Sequence, residues 1–349
     1  KNKMLKTTLK ATIVLLLLLI TSATIQAENH PTEVNSDELY NPVPAIMHHI
    51  SDAHEWHLWG EGEGSVTIPL PVILYTEGNL DIFMSSDFNH GHLAVVKGNR
   101  VYSIDSHSNI TESSGLKPLD LSITKNVASM LLALVVLLIL FVGAGFKSKK
   151  NKGSPNGLLS FIEPLVLFVR DDIIKPNVGT NYKKFLPYLL TLFFFILINN
   201  LLGLLPGSAN VTGNIAITLV LSFITLLVTN FSANKSYWGH IFNPPGVPLA
   251  LMPIMIPIEI VGIFTKPFAL MIRLFANISA GHIIILSLIS LIFMAQSGLG
   301  NGGAFGVAPV SVIFVLFMYL IEVLVAFLQA YIFTLLTSLF IGLATVEKH

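Results

Sequence analysis

Cysteine is absent from this 349-residue chain, which removes disulfides and cysteine-ligated metals from the argument. Charge is scarce as well. Asp, Glu, Lys and Arg make up only 11% of the residues, against about 25% in a typical soluble domain. Lys plus Arg equal Asp plus Glu at 20 each, so the net charge is zero. Bulk electrostatics therefore gives no pointer to nucleic acid or to acidic partners, and no nucleic-acid partner is expected. Ser/His/Asp and phosphate-loop motifs are missing too. With hydropathy, this excludes a soluble enzyme, and no cofactor, metal or catalytic residue is expected. What the chain has in excess is apolar surface: 53% hydrophobic residues and a mean hydropathy of +0.72. Several apolar runs exceed about 18 residues, the mark of a polytopic helical membrane protein.

Along the chain, residues 1–27 read as a secretory signal, with Lys1, Lys3, Lys6 and Lys10 before a short apolar core and Ala27 at the cleavage position. Residues 28–118 are polar, with alternating runs at 65–75 and 92–104 and turn signals at Gly78-Asn79 and Gly98-Asn99. They predict a small extracytoplasmic domain containing strands. Eight histidines fall there: His30, His48, His49, His54, His57, His90, His92 and His107. His54 and His57 have a spacing that puts two ligands on one helix face, but no HExxH pattern completes a metal site. Solvated or partner-facing histidines are the preferred reading. The remainder, 119–349, is the membrane domain. Its first span, 127–146, ends in a basic cluster from Lys147 to Lys152, which places that end in the cytoplasm and the preceding domain outside. The stretch 158–174 is amphipathic and predicts one interfacial helix. Spans at 186–205 and 215–231 follow, joined by an outer turn, and 232–248 reads as a cytoplasmic loop.

Two long apolar segments, 249–294 and 310–343, exceed an upright span and predict tilted helices closed outside by the glycine-rich 297–306. The fold class is thus an all-α polytopic membrane protein of about five transmembrane helices, with a long tilted C-terminal hairpin and a small strand-containing N-terminal extension. Glu259, Lys266 and Arg273 are seven residues apart on the first long helix, so they drift only about 20° per step and form one stripe. Asn277 stays near that face, whereas His282 falls roughly opposite Arg273. Glu322 and Gln329 share a face of the last helix. Helix direction sorts these groups by depth: His282 and Glu322 in the outer half, Glu259 and Lys266 in the inner half, with Arg273 and Gln329 between. That is the layout of two aqueous half-channels separated by a fixed positive charge. Asn199, Asn200 and Asn214, near the outer turn, either glue helices or line a wet vestibule. An arginine here opposes direct proton passage but attracts a carboxylate carried by another subunit, since this chain has no repeated carboxylate of its own.

The segment KPFALMIRLFANISAGH at 266–282, with LQAYIFTLL at 328–336 and NLLGLLP at 200–206, closely resembles subunit a of F-type ATP synthases from about residue 119 onward. The resemblance implies that Arg273 is the stator arginine facing the rotor-ring carboxylates and Gln329 its neighbour on the facing helix. His282 and Glu322 are then the outer proton relay, and Glu259 and Lys266 line the inner exit. The acid and the histidine are exchanged relative to many bacterial relatives, as in mitochondrial members. Implied partners are a rotor ring of small helical hairpins (subunit c), the peripheral-stalk subunit b, the rest of the ATP synthase and the lipid bilayer. Implied localisation is the bacterial inner membrane, with the C-terminus cytoplasmic. The competing reading is a proton-coupled secondary transporter, but no repeat relates the two halves, as such folds often show.

Overall fold

Alternation of apolar side chains is what turns the polar N-terminal stretch into strands. A computed structural model describes residues 40–59, 66–89, 93–98, 100–105, 109–150, 157–205, 207–243, 248 and 251–345. The expected signal at 1–27, together with His30, His90, His92 and His107, lies outside the described residues. After a short helix α1 (Val43–Ile50) come strands β1 (Glu55–Trp59), β2 (Val66–Pro69), β3 (Pro71–Thr76), β4 (Asn79–Met84), β5 (Val95–Lys97), β6 (Arg100–Ile104), β7 (Ile110–Glu112) and β8 (Leu119–Asp120). They pair antiparallel in three small sheets, β1-β2, β4-β3-β8 and β5-β6-β7. Val72, Leu74 and Thr76 alternate inward along β3. Val72 and Leu74 meet Phe83, Phe88, Val95, Tyr102 and Ile110 in one core. The β3–β4 hairpin turns through Glu77 and Gly78, both at positive φ, the geometry two-residue hairpins favour. The strand layer runs past residue 118 through β8, and the backbone N–H of Lys125 still bonds the carbonyl of Ala53.

Membrane helices follow. α2 (Lys125–Lys150) presents a largely exposed apolar surface, as a lipid-facing span does. α3 (Leu158–Phe168) passes into a π-helical turn (Val169–Ile174) and the short α4 (Lys175–Val178). The widened turn lies immediately before Pro176, whose ring has no N–H to give and crowds the carbonyl four residues back. Within 158–174 part of the apolar set faces the protein. Phe161 is exposed, while Val169, Ile173 and Ile174 are fully buried in the main helical core.

α5 (Tyr182–Gly203) and α6 (Ile215–Phe231) match the expected pair of spans closely. α6 buries Thr218, Ser222, Thr225 and Thr229 at three- and four-residue spacing. Small hydroxylated residues of this kind let membrane helices approach closely. The expected loop after α6 instead contains a helix, α7 (Lys235–Phe242), bent 101° from α6. Asn234 at that corner donates its backbone N–H to Ala344 and its amide to Thr345, supplying donors to carbonyls at the end of the last helix.

Met252–Thr345 is helical throughout except at Gly300, whose φ of 67° and ψ of −167° break it in two. The resulting limbs are α8 (252–299) and α9 (301–345). The glycine-rich stretch 297–306, expected as a connection, is therefore helical on both sides of one residue. Extending a formed helix is easier than starting one, so helical bonding persists even through glycine-rich sequence. Among the described residues, Lys125–Phe146, Ser160–Gly203 and Met252–Thr345 are each long and apolar enough to cross a membrane. The chain is a mostly helical, polytopic membrane protein.

Candidate functional site

Side-chain spacing on α8 divides it into two faces. Pro267, Leu270, Met271, Leu274, Ile278, Gly281 and Ile285 are buried, a period close to 3.5 that seats the helix against its neighbours. The opposite face is exposed and carries Lys266, Arg273 and Asn277 among Phe264, Phe268, Ile272, Ile283 and Ile284. Glu259 is half-buried at the start of the same stripe. Among the described residues Arg273 makes no ion pair or hydrogen bond. A guanidinium stays charged throughout the accessible pH range, and on a lipid-level surface it costs at least about 2.5–3.5 kcal/mol.

Contacts between the limbs set their register. The hydroxyl of Ser311 donates to the carbonyl of Leu288, Glu322 packs against Gly281, and the Lys266 ammonium lies 5.8 Å from the Phe340 ring centre. This antiparallel register brings Gln329 within a turn of the level of Arg273. Gln329 is buried on α9, flanked by the small Ala326 and Ala330.

The group expected in the outer half forms where Gly281 meets Glu322. A Cβ at position 281 would collide with the Glu322 carboxyl, so the absent side chain is what admits the acid between the helices. Glu322 is 7% exposed, and neither of its carboxyl oxygens has a partner among the described residues. Such an orphaned buried group calls for a proton, a water or an ion. His282 is the next residue along α8 and half-buried, its Nε2 facing the end of α5 about 4.0 Å from where a Cβ on Gly203 would lie. Thus Glu322 packs against Gly281, and His282 follows that glycine in sequence with its ring turned toward α5.

The inner group is a separate small cavity of about 20 Å³ lined by Thr229, Asn230, Tyr237, Lys266 and Phe340, among others. That is room for about one water. Thr229 Oγ1 and Asn230 Oδ1 are buried without a hydrogen-bond partner among the described residues, and Glu259 is within electrostatic reach of Tyr237. Of the two residues expected at the inner exit, Lys266 lines this cavity and Glu259 does not, while Thr229 and Asn230 were not foreseen. Their polarity at the end of an otherwise apolar span was the available signal.

The three asparagines divide by role. Asn200 accepts from Thr212 Oγ1 at 2.6 Å and donates to the Ala326 carbonyl at 3.2 Å, tying α5 to α9. Bonds like these stabilise membrane helix contacts by about 0.6 kcal/mol each on average. Asn214 caps α6 by accepting from the Ala216 N–H at 2.9 Å. Asn199 donates to the Phe195 carbonyl, and its own oxygen is buried and unpartnered among the described residues. In the N-terminal domain His54 is neither solvated nor paired with His57 as a ligand. It bonds Asp120 at 2.7 Å, while His57 lies on strand β1. Burial by itself would raise the Asp120 carboxyl, but the bonds from His54 and Ser122 hold it at about 2.

Comparison with known proteins bears on the same segments. The family described as ATP synthase A chain matches residues 127–342, and a domain of unknown function (DUF8433) matches 45–126. The chain is 48% identical over 234 residues to ATP synthase subunit a of Chloroherpeton thalassium, covering 66% of this chain and 68% of that protein. It is 52% identical over 236 residues to ATP synthase subunit a 2 of Chlorobaculum tepidum, covering 66% and 65%. With ATP synthase subunit a of Anaeromyxobacter dehalogenans it is 46% identical over 239 residues, covering 66% and 59%.

Proposed function

The chain belongs to the ATP synthase A chain family, and on that premise we propose how its residues move protons. It is the proton-translocating stator subunit of an ATP synthase membrane sector. In our reading it performs no bond chemistry of its own. α2, α5, α6, α8 and α9 supply five crossings, with the N-terminal domain outside the bacterial inner membrane and the C-terminus in the cytoplasm. The basic run after α2 supports that orientation. The exposed stripe of α8 faces a ring of small helical hairpins (subunit c), and the peripheral-stalk subunit b holds the assembly against the head.

Protons reach the ring from outside by way of His282 and Glu322. They leave toward the cytoplasm through the cavity holding Lys266 and Asn230, near Glu259. Asn199 contributes its unpartnered oxygen to the polar lining, whereas Asn200 and Asn214 serve packing and capping. Between the two paths stands Arg273, with Gln329 beside it at the same depth. A ring carboxylate arriving opposite Arg273 gives up its proton. It then takes another from the outer path and crosses lipid neutral, because a charge there is costly. The carrying observation is the mismatch of partners: Arg273 is on an exposed apolar face without a counter-ion among the described residues. Family membership leaves no place for the one-chain carrier reading.

Purification in mild detergent tests the assignment. A stator subunit comes out with a ring of small two-helix proteins bound. Isolation as a monodisperse single chain that catalyses substrate–proton exchange alone would overturn it.

A further inference from the structure

Proton flow in the reading above begins at His282, yet His282 is half-buried and the N-terminal domain sits over it. The contacts that seat this domain are specific. The indole N–H of Trp56 on β1 donates to the Gly207 carbonyl, in the outer turn between α5 and α6, at 2.7 Å. Gly207 has a positive φ, and any Cβ there would run into the Leu58 carbonyl. Tyr40 donates its backbone N–H to Ser297 Oγ at 3.2 Å and stacks obliquely on Phe293, both at the outer end of α8.

Beside the Gly207 anchor lies a polar cavity of about 40 Å³, lined by His49, Ala53, Glu55, His57, Lys125, Gly207 and Ser208, enough for one or two waters. Its wall at Ser208 stands close to His282. Ser208 Oγ bonds the Gly203 carbonyl at 2.9 Å, Gly203 lies beside His282 Nε2, and Gly281 beside His282 touches Glu322. His49 is within electrostatic reach of His282. Lys125 donates to the His49 carbonyl at 3.0 Å and feels Asp52. Asp52 itself accepts from the N–H groups of Ala53 and Asn126.

We infer that this domain forms the outer lip of the proton path: His49, Glu55 and His57 make a wet vestibule that gathers protons and passes them to His282. The inference rests on the stator reading. An imidazole ring both accepts and donates protons, which suits it to a relay. A carboxylate in a narrow polar mouth focuses cations and raises their local concentration and arrival rate by roughly tenfold or more. The gain matters when outside protons are scarce and vanishes when they are plentiful. Lys125 opposes part of that focusing, and its bond ties the His49 backbone to the start of α2 at the cavity.

The test uses the whole complex in liposomes, with the imposed gradient held constant while outer pH is varied. With His49→Ala and His57→Ala combined, ATP synthesis at an outer pH near 8 falls roughly fivefold, and near pH 6 it matches wild type. Both histidines are exposed, so their loss leaves the fold intact. Replacing both by Gln, which keeps hydrogen bonds but not titration, gives the same alkaline deficit. Superimposable pH profiles for wild type and the Ala pair, or full rescue by Gln, would overturn the vestibule. Glu322→Gln run alongside separates the two levels. Loss of synthesis there with an unchanged Ala pair sinks only the vestibule, and no change in either sinks the outer path through Glu322 as well.

Discussion

Replacing Arg273 by Ala abolishes ATP-driven proton pumping by the reconstituted complex, while hydrolysis by the detached catalytic head continues at the wild-type rate. The argument is energetic. An unpaired guanidinium on a lipid-level helix face costs at least about 2.5–3.5 kcal/mol. A carboxylate brought within about 4 Å returns roughly 4 kcal/mol at an effective dielectric near 20. Pairing with a ring carboxylate therefore offsets the cost, and none is offered to Arg273 by the described residues of its own chain. Ala removes both the cost and the attraction. The ring carboxylate then has no reason to release its proton at that level, and the two water paths lose the charge that keeps them apart. Arg273→Lys restores little, because an ammonium is a point donor and deprotonates readily when desolvated. Acidification of vesicles, followed with a fluorescent dye, reads the outcome. Pumping retained in the Ala variant would remove Arg273 from its role.

Glu322→Gln lowers ATP synthesis at a fixed gradient by about a hundredfold, the low end of what a positioned proton donor contributes. The Gln side chain fills the same space against Gly281, so packing survives and only proton exchange is lost. His282→Ala lowers it by about tenfold, below that range because water reaches a half-buried site. If the two groups act in series, the double variant is no worse than Glu322→Gln alone, which is the non-additivity of residues in one network. Rates are read as ATP formed per complex under an imposed proton gradient. Unchanged synthesis in Glu322→Gln would count against the outer path, and fully additive losses would place the two groups on separate routes.

The polar stripe was legible because helical periodicity needs nothing beyond spacing. Lys266, Arg273 and Asn277 do share the exposed face, and Glu322 and Gln329 share the buried one. Span positions were legible for the same reason, since hydrophobic length is a local property. What escaped were features set by distant contacts or by helix cooperativity. The glycine-rich stretch reads as a loop by turn chemistry, yet its helices continue up to Gly300, because extending a formed helix is easier than starting one. The bond from Asn234 to Ala344, beside α7, joins residues over a hundred positions apart, which no window of sequence reveals. Likewise, Asn200 looked equally suited to gluing and to lining until Thr212 and Ala326 appeared at its two ends. The docking of Trp56 onto Gly207 is a meeting of two family segments, 45–126 and 127–342. Nothing in either sequence alone announces it.

The claim on which everything turns is that the Arg273 face of α8 meets the rotor. Because the chain contains no cysteine, Asn277→Cys introduces a single thiol one turn from Arg273 on that face. With a second cysteine beside the ion-carrying acid of the ring protein, mild oxidation is predicted to give a disulfide-linked adduct of the two subunits. Leu274→Cys, on the buried face, should give none. Adducts from Leu274→Cys but not from Asn277→Cys would mean that the rotor lies on the other side and that Arg273 faces something else.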